Sequence, residues 1–98
     1  MGSFLFQIDL PEFTAELAAL IPTHRAYIDK LFKKGDMLSY SVALNRDKLW
    51  CVVAAEDEEQ AVKMVLKLPL YAYFTDVVCI PLMFHNTSPA ALPAIVLN

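Results

Sequence analysis

The 98-residue sequence holds only two glycines and two cysteines. So few glycines exclude the glycine-rich loops that cradle nucleotide phosphates. A Gly-x-Ser-x-Gly turn and a Cys-x-x-Cys pair are also missing, which removes two common routes to a nucleophilic or redox site. His24, His85, Cys51 and Cys79 show no close ligand spacing, so no metal is expected. Charge is sparse as well. Charged residues make up 19% of the chain, the net charge is −3 and no basic cluster occurs, which argues against nucleic acid as a partner. No apolar run approaches the roughly 18–20 residues of a membrane-spanning helix. Asp9 and Glu12 follow the short apolar start, so no cleavable signal is expected and the cytoplasm is the expected location.

What is abundant is apolar surface. Hydrophobic residues form 57% of the sequence and the mean hydropathy is +0.44. A single domain of this size hides roughly 60–70% of its surface. The run Val77-Val78-Cys79-Ile80-Pro81-Leu82-Met83-Phe84 is apolar at every step, so both faces of a strand built from it avoid water. The chain's own helices can cover one face. A second copy is the expected cover for the other, giving a homodimer or a higher oligomer of dimers.

Local patterns give the elements. Phe4 to Ile8 reads as a strand, and Phe13 to Lys34 reads as a helix whose Leu17, Leu20, Ile21, Ile28, Leu31 and Phe32 recur at three- and four-residue steps. Gly35 is placed to cap it, and Pro22 predicts a kink or a break into two helices. Met37 to Leu44 alternates as a second strand, with Leu38, Tyr40, Val42 and Leu44 on one face and Ser39, Ser41 and Ala43 on the other. Asn45-Arg46-Asp47-Lys48 is a polar hairpin turn, and Leu49 to Ala55 is a third strand. Asp57 and Gln60 resemble a capping box opening a helix from Asp57 to Leu68, which Pro69 stops. Val77 to Phe84 is the fourth strand.

The order βαββαβ is that of the ferredoxin-like α+β fold, an antiparallel four-stranded sheet of order 4-1-3-2. Pro81 suits an edge strand there. Cys51 and Cys79 fall on strands separated by a third. Two spacings of ~4.8 Å exceed the ~7 Å reach of a disulfide, so both thiols are expected free. The domain is expected to span residues 1–85, with the apolar tail 86–98 lying on a neighbouring subunit or fraying.

One ionisable residue is out of place. At about 100° per residue the apolar stripe of the first helix is about 120° wide, and His24 lands near its centre. An unpaired buried ring costs on the order of 1–3 kcal/mol, so His24 requires a partner or a cavity. Tyr40 on one face of the second strand, or Ser39 and Ser41 on the other, are the candidates. His24 is then either a core histidine satisfied by a strand group or an acid/base group in a helix–sheet pocket. Arg25 and Tyr27 border the stripe, and Arg25 is placed either to hold a substrate carboxylate or to stand in solvent. Tyr71 and Tyr73 are candidates to cap a pocket, or packing aromatics. His85 is expected to be exposed.

The helix end Leu31-Phe32-Lys33-Lys34-Gly35, the βαββαβ order and above all Leu68-Pro69-Leu70-Tyr71-Ala72-Tyr73 resemble the muconolactone isomerase family of dimeric α+β barrels. The resemblance covers Phe4 to His85. It implies a cofactor-free isomerase that shifts a proton in a small unsaturated lactone or carboxylic acid. His24 would move the proton, Tyr40 or Tyr73 would hydrogen-bond the enolate, and Arg25, Tyr27 and Tyr71 would bind substrate. Where the first helix of those isomerases carries acidic residues, this chain has His24. His24 followed by Gly35 also resembles the helix of YCII-related proteins, with Leu68-Pro69 where those have Asp-Pro. That resemblance implies that His24 is the catalytic group, and the alternative to the isomerase is a non-catalytic small-ligand-binding or YCII-like protein of the same superfamily.

Overall fold

A computed structural model describes residues 1–87, so the expected role of the tail falls almost wholly outside the described residues. The elements run β1 (Gly2–Asp9), α1 (Ala15–Lys34), β2 (Met37–Val42), β3 (Lys48–Ala55), α2 (Glu58–Leu66), a short 3-10 turn (Tyr71–Tyr73) and β4 (Asp76–Leu82). All strand pairs are antiparallel and the sheet order is β2-β3-β1-β4. This is the ferredoxin-like α+β fold. Pro81 lies on the edge strand β4, where proline is tolerated. Phe6 stands opposite Cys51 on one side and Cys79 on the other, and both thiols are free.

Phe4, Phe6 and Ile8 of β1 and Leu49, Cys51, Val53 and Ala55 of β3 point one way and are buried. Ile28 and Leu31 of α1 and Ala61 and Val65 of α2 close over them to form the core. Both helices start on a side-chain cap, as their sequences dictate. The Thr14 hydroxyl accepts from the Leu17 N–H at 3.2 Å, and the Asp57 carboxylate accepts from the Gln60 N–H at 2.8 Å. Gln60 Oε1 in turn accepts from the Glu56 N–H. Gly35 closes α1 at φ 79°.

Several elements differ from expectation. α1 is one continuous helix through Pro22, which is exposed, so the loss of a single backbone donor does not divide it. α2 ends at Leu66 because Lys67 already caps it, and Leu68 and Leu70 fold back into the core. β2 ends at Val42, and Leu44 stands fully in solvent at the turn rather than on the strand face. β4 ends at Leu82, short of Phe84.

Among the described residues no helix covers the far face of the sheet. Leu5 lies across from Val52 on one side and Ile80 on the other, and Gln7 lies between Trp50 and Val78. Val78 and Ile80 remain 41% and 42% exposed. Among the described residues no helix is long and apolar enough to cross a membrane.

Candidate functional site

A β-bulge decides what the second strand shows to α1. Met37 pairs with Val53 and Ser39 with Val52, so Leu38 is an extra residue. In an unbroken strand Met37 and Tyr40 face opposite ways. The inserted residue lets Met37 bury itself in the core while Tyr40 and Val42, opposite Cys51 and Leu49, also face the helices. Leu38 is left without a partner in the ladder, so the regular alternation expected through Met37 to Leu44 is broken there. Ser39 and Ser41 point to the helix-free side.

On α1, His24 follows Leu17 by two turns and lies on the same inward stripe. Only 2% of it is exposed. Its Nε2 is 2.8 Å from the Tyr40 hydroxyl oxygen, so Tyr40 is the partner. The rings are tilted at 51° with centroids 5.9 Å apart. The other ring nitrogen, Nδ1, is buried without a partner among the described residues. Burial lowers the His24 pKa to about 4, well below the near-neutral value of a free imidazole, so the ring is neutral at pH 7. Burial pushes the Tyr40 phenol up to about 12, with the Cys51 thiol adding to the rise and Arg25 opposing it. Burial likewise pushes the Cys51 thiol up to about 12, which keeps it protonated and unreactive.

The orphaned Nδ1 weighs the two tautomers. A proton on Nδ1 leaves a buried donor unmet, whereas a proton on Nε2 leaves only a lone pair unmet. In the second case Nε2–H donates to the Tyr40 oxygen, and the phenolic proton is free to turn outward.

Outward lies a trough between α1 and the edge strand β2. Two clefts meet there, sharing Ile21, Tyr40 and Val42. The outer cleft, about 430 Å³, runs past His24, Arg25, Asp29 and Phe32. The inner cleft, about 270 Å³, runs past Leu10, Phe13, Leu17, Leu49 and Leu70 to Arg46. Its size falls near the ~300 Å³ lower end of small-molecule sites, so any ligand it holds is small. The walls are mostly apolar, and Tyr40 lines both clefts where they join.

Of the residues expected at a site, the trough gathers His24, Tyr40 and Arg25. Tyr27 packs against the core instead, and neither Tyr71 nor Tyr73 lines either cleft. Tyr71 is engaged edge-on with Phe74, ring centroids 5.9 Å apart. His85 is half-buried, with its Nε2 enclosed, and so is not the exposed residue expected. Arg46, which the sequence places only in a turn, borders the inner cleft. No local pattern distinguishes it, because its place depends on Phe13, 33 positions earlier, folding beneath it.

Solved structures share this fold. Muconolactone isomerase is 19% identical with a TM-score of 0.68 over 89% of this chain and 94% of that one. The 5-chloro-2-hydroxyhydroquinone dehydrochlorinase TftG from Burkholderia phenoliruptrix AC1100, in complex with 2,5-dihydroxybenzoquinone, is 14% identical with a TM-score of 0.63 over 86% and 95%. An antibiotic biosynthesis monooxygenase is 13% identical with a TM-score of 0.55 over 88% and 100%. At these identities the likeness establishes architecture, not activity. No family model matches the sequence, and no curated protein matches it significantly.

Proposed function

We propose that the trough binds a small unsaturated carboxylic acid or lactone and that the chain shifts a proton within it, as a cofactor-free isomerase of muconolactone-isomerase type. The observation that carries this reading is the 2.8 Å bond between His24 Nε2 and Tyr40 Oη at the junction of two apolar clefts. Tyr40 is the group that meets the ligand, and His24 stands behind it.

The pair supplies both halves of a proton shift. The proton shift runs from the less favoured tautomer, with the His24 proton on Nδ1, in which Tyr40 donates to Nε2 and offers an oxygen lone pair to the trough. A proton leaving the carbon next to a ligand carbonyl passes to Tyr40 Oη as the phenolic proton passes to Nε2. The C–H electron pair remains on the ligand as a dienolate. Return of the proton by the same path to another carbon of the conjugated system completes the isomerisation, with no net gain or loss of atoms or electrons. An imidazolium in this buried place is unfavourable alone, and the adjacent dienolate charge offsets it. Muconolactone in deuterium oxide, followed by proton NMR, tests the reading. Wild type is expected to exchange and isomerise it and Tyr40→Phe to do neither; no exchange by wild type contradicts it.

A second reading is a small-ligand holder without chemistry. The near-complete burial of His24 and its low pKa favour it, since both oppose a charged intermediate. Saturable binding of muconolactone without exchange supports that reading.

The helix-free sheet face is the proposed site of a second copy. Leu5, Val78 and Ile80 form an apolar band across it that one subunit leaves partly in water. The free thiols of Cys51 and Cys79 suit a reducing compartment, and the cytoplasm is the proposed location.

A further inference from the structure

Arg46 stands at the end of the inner cleft, where every other lining residue is uncharged. Its guanidinium carbon lies 4.5 Å from the centroid of the Phe13 ring. No carboxylate lies within ion-pair distance of it among the described residues. The cation is thus held by a ring face, with its hydrogen-bond donors unspent on protein anions.

The backbone adds a second observation. Arg46 has φ 65°, the one non-glycine residue among those described with a positive φ. The Arg46 N–H donates to Ala43 O and the Ala43 N–H to Lys48 O, a tight hairpin whose left-handed position ordinarily takes glycine or asparagine. Asp47 O also accepts from the Leu10 N–H, which pins the turn to the chain entering the cleft. An arginine at this position carries backbone strain that glycine would not, and such outliers point toward function.

Arg25 differs. It shares the outer cleft with Asp29, one helical turn along, so an anion placed there also meets a carboxylate.

We propose that Arg46, rather than Arg25, anchors the ligand's carboxylate, and that the ligand is a flat unsaturated or aromatic monocarboxylate lying along the inner cleft. Its acid end meets the guanidinium beside Phe13. Its apolar body lies between Leu17 and Leu49, and its far end reaches the Tyr40 hydroxyl. A dicarboxylate is disfavoured because the outer end presents Asp29. This inference rests on the reading of the trough as a ligand site and goes beyond it in naming the anchor.

Calorimetric titration of sorbate and its uncharged amide, sorbamide, tests the assignment. Asparagine tolerates a left-handed backbone, so Arg46→Asn removes the charge without straining the turn. Its affinity for sorbate is expected to fall about tenfold, the scale of one lost charge-assisted hydrogen bond, while Arg25→Gln stays near wild type and sorbamide binds all three alike. Arg46→Lys, which keeps the charge but not the planar fork, is expected to fall between. A loss confined to Arg25→Gln, or equal wild-type affinity for sorbate and sorbamide, overturns the anchor while leaving the trough a ligand site. Failure of wild type to take either probe overturns both.

Discussion

The 2.8 Å bond between His24 Nε2 and Tyr40 Oη ties the middle of the longest helix to the outermost strand of the sheet. A buried apolar stripe meets an edge strand at one polar contact. Around that contact the structure leaves space rather than packing, and the functional reading starts from that combination.

The burial of His24 makes stability depend on pH in a defined direction. His24 has a pKa of about 4 in the folded chain, against 6.5 for a free histidine side chain. Above pH 6.5 the ring is neutral in both states and its contribution is complete. As pH falls from 6.5 toward 4, the unfolded chain takes up a proton that the folded chain refuses, so stability drops, by about 3 kcal/mol at most. Urea unfolding across this range is expected to show the slope in wild type and to lose it in His24→Leu.

Removing both partners is expected to cost less than the two single removals added together. Tyr40→Phe orphans Nε2 in a buried place and is expected to destabilise by about 1–3 kcal/mol. The double variant His24→Leu with Tyr40→Phe leaves no polar atom to orphan, so its cost is expected to fall short of the sum of the singles by about 0.5–3 kcal/mol. A double-variant cycle measured by denaturant unfolding reads the coupling. Strict additivity contradicts the bond.

Gly35 isolates a backbone effect. It sits at φ 79° with no atom within 4 Å of where a Cβ would stand, so Gly35→Ala meets strain but no clash. The expected loss is about 1 kcal/mol, read from the denaturant midpoint at unchanged slope.

Ile80 reports on assembly. Wild type is expected to sediment at twice the 11.0 kDa chain mass, and Ile80→Lys as a single chain with unchanged circular dichroism. A wild-type particle of 11.0 kDa at micromolar concentration contradicts the second copy.

The fold was readable because its signals are local and mutually consistent. Alternation in β2, three- and four-residue steps in α1, Gly35 at a cap and Asp57 with Gln60 define the βαββαβ element order, and Pro81 at an edge agrees with the sheet order that follows from it. His24 was readable because one polar ring falls at the centre of an apolar stripe. Its partner was not, because the facing of Tyr40 depends on the bulge at Leu38, and no residue there announces an insertion. Whether Met37 or Leu38 enters the core is decided by packing against Val53 and α1. Tyr71 and Tyr73 are site candidates by residue type alone, and the 3-10 turn that holds them contributes neither ring to the trough. Arg46 carries no signal of its own, because a polar turn is the ordinary place for an arginine.

The central claim is that a small unsaturated acid occupies the trough against Tyr40. NMR shift mapping of isotope-labelled wild type titrated with sorbate tests it most directly. The account predicts saturable shifts at Ile21, Tyr40, Val42, Leu49 and the His24 ring, with Val78 and Ile80 undisturbed. Sorbate that shifts none of the trough residues at saturating concentration, or shifts only the helix-free sheet face, contradicts it.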